Sequence, residues 1–204
     1  MLPAYRVETP RLVLACPDPA RAAGVKKCED ESRAALVRYM IWADREPESL
    51  DETAAKLCMF RARFDRGEDY MYNAWDRTSG DGAGGCGLHP RVGKGGLEIG
   101  YWVHEPRHRQ GIATEMAAAL TRVAFEVLDC RWVEIRTARS NVASAGVPRK
   151  LGYAHEATLH ERLELPRGAI EDAFVFTLLA RDYLASAAAK MPIAAFDAAG
   201  RKLL

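Results

Sequence analysis

The sequence predicts a single α+β domain, on three observations. Short apolar or alternating runs bounded by Gly, Pro, Asn and Asp recur between residues 11 and 180 and outnumber the helical stretches. Among them lies one long segment with helical spacing, in which Ile112, Met116, Leu120, Val123 and Val127 recur at three- and four-residue intervals with alanines between. The length, 204 residues at 49% hydrophobic and 28% charged, suits one full core.

The elements follow in order. Residues 11–16 (Arg-Leu-Val-Leu-Ala-Cys) form a first strand, closed by Pro17, which has no N–H to give a ladder. Helical spacing covers residues 18–40. Ser49-Leu50-Asp51-Glu52 has the Ser-x-x-Glu form of a capping box, and Ala54, Leu57, Met59, Phe60 and Phe64 supply an apolar face, so a second helix runs near 50–66. Aromatic-rich residues 70–75 read as a strand, the cluster at 78–82 as a turn, and the hairpin partner extends to about Leu88. After a glycine turn at 93–96, residues 97–103 alternate: Leu97, Ile99, Tyr101 and Val103 share one face, Glu98, Gly100 and Trp102 the other. The long helix opens at Gly111. Trp132 to Ala138 is a strand, Asn141 caps a short helix that ends at Gly152, and residues 153–160 and 170–180 close as an antiparallel pair. The domain is taken as residues 1–184, with 185–204 as an appended tail behind an alanine-rich tract. No internal repeat is visible.

Composition removes several classes of function. Lys+Arg 29 against Asp+Glu 28 gives a net charge of +1, so no overall field draws nucleic acid and any phosphate site must be local. The five cysteines are odd in number, widely spaced and without a C-x-x-C pair, which points to a reducing cytoplasm rather than to disulfides, zinc or redox chemistry. No signal peptide and no membrane-length apolar window is present, so no membrane partner is expected. His104 and His108 have metal-like spacing, but Pro106 between them argues against the helix such a pair needs, and no metal site is predicted. The glycine clusters at 84–87 and 93–96 lack the remaining residues of a dinucleotide or P-loop motif.

The informative segment is 103–115, where a strand is followed within a few residues by the start of the long helix. The first N–H groups of a helix have no internal partner and the macrodipole is positive there, so such a junction suits an anion. Gly111 lets the backbone approach a pyrophosphate, Ala113 keeps the next turn open, and Arg107 and Arg109 add positive charge.

In sequence, residues 97–115 resemble the acetyl-CoA signature of the GNAT superfamily, in which Arg/Gln-x-x-Gly-x-Gly/Ala follows the fourth strand; Gly-Ile-Ala-Thr-Glu is a common form of its second half. Asn141-Val142-Ala143-Ser144 and Arg149-Lys150-Leu151-Gly152-Tyr153 resemble its Asn-x-x-Ser and Lys-Leu-Gly-Phe elements, and Thr9-Pro10-Arg11-Leu12-Val13-Leu14 the opening of the RimJ/RimL branch. The resemblance spans roughly residues 7–183. His108 and Arg109 depart from it, standing where the family usually has Arg or Gln and often Gly.

The resemblance implies a mixed, mostly antiparallel sheet flanked by helices, with the fourth and fifth strands splayed, and acetyl transfer from acetyl-CoA to a primary amine within a ternary complex. Tyr101, Trp102 and Val103 then line the pantetheine, Arg109, Gln110, Gly111, Ile112, Ala113 and Thr114 the pyrophosphate, and Asn141 the pantetheine amide, with Val103 or Trp102 donating to the oxyanion. Glu98 is either the base acting through water or a structural acid. Many relatives use a tyrosine seven residues after the Asn as acid; Pro148 stands there, leaving Ser144 as acid or as a simple cap. Trp42 is either an acceptor contact or a buried aromatic. The acceptor is a protein N-terminus or a small amine, a homodimer stays open, and a CoA-binding module without transfer activity is the alternative.

Overall fold

The structure, a computed structural model, describes residues 3–204. Among the described residues nine strands form one sheet: β1 (Arg6–Glu8), β2 (Leu12–Ala15), β3 (Tyr70–Asp76), β4 (Gly82–His89), β5 (Gly96–Val103), β6 (Trp132–Ala138), β7 (Ala154–Glu164), β8 (Ile170–Leu179) and β9 (Ala194–Phe196), in the order β7-β8-β6-β5-β4-β3-β2-β1-β9. Every neighbouring pair is antiparallel except β5 and β6. That parallel pair needs a crossover, and the long helix α3 (Ile112–Arg122) supplies it.

Local chemistry sets the other helices. α1 (Ala22–Leu36) follows a short turn capped by Asp18. α2 (Leu50–Asp65) starts at a complete capping box, with Ser49 accepting from the Glu52 N–H and Glu52 from the Ser49 N–H. α4 (Val142–Leu151) is capped by Asn141 and stopped at Gly152, whose φ of 89° favours glycine. A short α5 (Ala180–Tyr183) follows β8.

α1 and α2 cover one face of the sheet and α3 and α4 the other. Trp102 lies in a crevice with Gly24, Val25 and Cys28 of α1, whereas its neighbour Tyr101 reaches Ser144 of α4, as strand alternation requires. The core under α3 includes Met116 and Leu120, fully buried, and Ala117, Ala118 and Ala119, whose small side chains let the helix lie close on the sheet. Burying a Met or Leu contributes about 1.5–3 kcal/mol each. Beneath α1 and α2 is a smaller cluster of Ala22, Val25, Leu57 and Trp75.

Two expectations change. The residues expected as an appended tail contribute β9, which pairs with β1 at the sheet edge, and Ala188 and Ala195 are fully buried. A three-residue strand is too short for periodicity to reveal; its partner β1, missed for the same reason, is what makes it a strand. Because β1 precedes the first strand read from sequence, the pair expected as fourth and fifth is β5 and β6.

Candidate active site

One strand positions most of the site. On one side β5 pairs with β4 over six consecutive rungs, Glu98–Val103 against Gly84–His89; on the other it shares only Gly96, Leu97 and Glu98 with β6. Beyond Glu98 the two parallel strands diverge, leaving a free edge on Ile99 to Val103. The His104 N–H donates to the Ala83 carbonyl (3.0 Å), on the β4 side. Alternation then directs the amides of Tyr101 and Val103 into the fork and that of Trp102 toward β4.

The loop at the end of β5 leads to the start of α3. Gly111, at φ of 80°, is the N-cap and no side chain among the described residues caps the helix, so the first-turn amides of Ile112, Ala113 and Thr114 keep their donor capacity. A Cβ on Gly111 would meet only the Arg11 guanidinium, at 3.5 Å, so the space before the loop is open. Arg109 adopts φ of 61°, a left-handed conformation that costs an L-residue roughly 1–2 kcal/mol and explains why glycine is frequent at this point of the motif. It forms no ion pair among the described residues, whereas Arg107 is held by Asp76 at 2.7 Å and is not free to meet a phosphate. Gln110 turns its side chain to the Pro106 carbonyl.

The opening motif of the chain braces this loop. Buried Glu115 accepts from the Thr9 hydroxyl (2.6 Å), the Arg11 N–H (3.0 Å) and Arg11 Nε (2.6 Å), and Arg11 also donates to the Gln110 carbonyl (2.8 Å). Two motifs a hundred residues apart thus form one unit.

Across the fork, the Tyr101 hydroxyl donates to the Ser144 carbonyl (3.1 Å) and lies 3.2 Å from Ser144 Oγ. Burial raises the Tyr101 hydroxyl to about 12, with the Ser144 bond opposing the rise. Asn141 Oδ1 accepts from the Ser144 N–H at 3.1 Å, a capping bond that leaves the Asn141 amide NH₂ available.

The opposite face, beneath α1 and α2, carries side-chain chemistry. Glu98 stands on the last rung of β5 and β6, and Arg91 bonds both its oxygens (2.6 and 3.0 Å), with Arg136 at 4.0 Å. Gly85, Gly87 and Gly100 floor a trough beside it. A Cβ on Gly85 would strike the Trp102 ring at 2.6 Å, and one on Gly87 would strike the His89 ring at 2.8 Å, so both side chains lie where only glycine permits them. Trp42, in the turn Ile41–Asp44, is 42% exposed and packs on Trp102 with ring centroids 6.1 Å apart. The two tryptophans therefore form one aromatic pair on the α1 face of the sheet.

His89 did not emerge from the sequence. Its Nδ1 lies 2.5 Å from Asp69 Oδ1, so an ionised Asp69, which can only accept, pairs with a proton on Nδ1. Its Nε2 would lie 3.1 Å from a Cβ on Gly100 and has no partner among the described residues. The missed signal was register: His89 pairs with Glu98, so these two and Gly100 share a face. His104 and His108 turn to different partners, Glu31 (2.7 Å) and the Val103 carbonyl (2.9 Å).

Comparison with known proteins agrees with this geometry. The family model "Acetyltransferase (GNAT) domain" matches residues 11–154. Among solved structures, RimL, a ribosomal L7/L12 alpha-N-protein acetyltransferase in complex with coenzyme A, is 21% identical at a TM-score of 0.75, covering 84% of this chain and 95% of its own. The ribosomal-protein-S5-alanine acetyltransferase of Vibrio fischeri is 14% identical at 0.75 (87% and 98%). The microcin C7 self-immunity acetyltransferase MccE, in complex with acetyl-CoA and AMP, is 14% identical at 0.76 (83% and 93%). No curated protein sequence matched. No helix among the described residues is long and apolar enough to cross a membrane. A forked parallel strand pair opening onto an uncapped helix start, inside a family match that covers most of the sequence, makes this chain a member of the GNAT acetyltransferase family.

Proposed function

We propose that the protein transfers the acetyl group of acetyl-CoA to a primary amine, a protein N-terminus or a small molecule, in the cytoplasm. One observation carries this reading: the free edge of β5 and the uncapped start of α3 are consecutive in the chain, joined by one short loop, so a thioester and its pyrophosphate can be held together. The amides of Gly111 to Thr114 suit the pyrophosphate, with Arg109 adding charge. Tyr101, Trp102 and Val103 line the pantetheine, whose amide is within the chemistry of the Asn141 side chain. The Val103 N–H, directed into the fork, is the oxyanion donor favoured over Trp102. RimL, named as an N-terminal acetyltransferase of a ribosomal protein, favours an N-terminal acceptor, and Trp42 beside Trp102 is where that acceptor would enter.

Acetyl-CoA supplies an activated acyl group, and the chain must deprotonate the amine and protonate the departing thiolate. As the C–N bond forms and the C–S bond breaks, the Ser144 hydroxyl, paired with Tyr101, is the proton donor to sulfur. Incubating the protein with acetyl-CoA, amines and N-terminal peptides, with detection of free thiol and acetylated product, tests the reading. Binding of CoA with no thiol release from any acceptor would favour the non-catalytic alternative.

A further inference from the structure

We infer that His89, oriented by Asp69, is the base that takes the proton from the acceptor amine. The inference rests on the acetyl-transfer reading and names the group that performs one of its steps. Three observations carry it. Asp69 engages Nδ1 at 2.5 Å, so in the neutral ring Nε2 is the nitrogen left to accept a proton. Gly87 and Gly100 clear the space in which the ring lies, and Nε2 is set over Gly100, two residues past the rung where β5 and β6 part. His89 also lies on the face of the sheet that carries Trp102 and Trp42, where the proposed reading brings the acceptor in.

The neighbouring carboxylate is less suited. Arg91 engages both oxygens of Glu98, whereas Nε2 of His89 has no partner among the described residues. The charged groups about the ring are Asp69, Glu98 with its Arg91, and, one strand further, Glu134 and Arg136. In the step, the amine nitrogen bonds to the acetyl carbon, its proton passes to Nε2, the C–S bond breaks and the departing thiolate takes a proton from Ser144 to leave as the thiol; solvent then restores both groups.

The test uses the intact protein and the amine and peptide panel, with CoA affinity measured by calorimetry and rates from thiol release between pH 6 and 9. His89→Gln should lower kcat about a hundredfold with CoA affinity unchanged. The deficit should narrow as pH rises past about 8, where an α-amino group deprotonates unaided. Asp69→Asn, a change to the positioning residue, should cost about tenfold and flatten the same limb of the pH profile. Nitrogen NMR of the neutral imidazole, at the high-pH end of that range, should find Nδ1 protonated and Nε2 bare, a readout independent of turnover.

A neutral ring that carries its proton on Nε2 overturns the assignment, as does a folded His89→Gln variant within twofold of the parent, or a Glu98→Gln variant that loses more than His89→Gln. A parent protein that binds CoA but acetylates no amine removes transfer itself, and the base with it. An active parent beside an equally active His89→Gln removes the base alone.

Discussion

The two faces of the sheet at the fork are built from different parts of the chain. On the α3/α4 face the proposed cofactor contacts are mostly backbone: a strand edge without a partner and the first amides of a helix, joined by one short loop. On the α1/α2 face they are side chains, Trp42, Asp69, His89, Arg91, Glu98 and Trp102, drawn from five segments and set on a glycine floor. A backbone site depends on conformation and tolerates most side chains, as His108 and Arg109 do in a loop whose motif usually has others. A side-chain site depends on register, and one misplaced Cβ removes it.

That contrast can be tested from its strongest consequence downward. Ser144→Ala should lower kcat on the order of a hundredfold with little change in CoA affinity, because the hydroxyl acts on the leaving thiolate rather than on the cofactor's phosphates. Tyr101→Phe, which removes the hydroxyl paired with it, should cost about tenfold. Equal kinetics in both would return Ser144 to helix packing and leave the α3/α4 face with backbone chemistry alone.

Gly111→Val should act on binding instead. The branched side chain disfavours φ of 80°, and losing one charged hydrogen bond, roughly 1.5–3 kcal/mol, weakens CoA about ten- to a hundredfold. The space in front of Gly111 is open, so conformation rather than collision is the cause, and Gly111→Ala should fall between the two. Calorimetric titration with CoA separates them; three equal affinities would mean the loop does not hold the phosphates.

Trp42→Ala should touch only the other face. Loss of roughly 1 kcal/mol of aromatic contact raises KM for the amine about fivefold and leaves CoA affinity unchanged. A change in CoA affinity instead would show the two faces are coupled through Trp102.

The smallest effect is expected at Asp76, which lies outside both sites and braces Arg107. Backbone N–H bonds from Ser79 first, then Arg107 and the Thr78 N–H, lower its carboxyl from 3.8 to about 2. A group depressed in the folded state stabilises above its unfolded value and loses that contribution as pH falls through the folded one. Asp76→Asn should therefore cost about 1 kcal/mol or less near pH 7, because the pair is partly exposed, with the difference from the parent vanishing between about pH 4 and 2. Thermal denaturation across that range measures it.

What the sequence by itself determined are the features that a few consecutive residues specify. Asn141 and Gly152 bound α4, Ser49 and Glu52 start α2, and the run from Val103 to Glu115 announces a strand, a loop and an open helix start, because caps and turns are formed by near neighbours. The family resemblance read from three such motifs added the splayed pair. Tertiary structure alone decided the rest. β9 exists because β1 offers it an edge, and Thr9 and Arg11 meet Glu115 across more than a hundred residues. Glu98 lies in the grip of Arg91, and His89 over Gly100, only because a particular register of β3, β4 and β5 sets them on one face. A shift of one residue in that pairing would turn His89 to the other face, and no short stretch of sequence states which register is chosen.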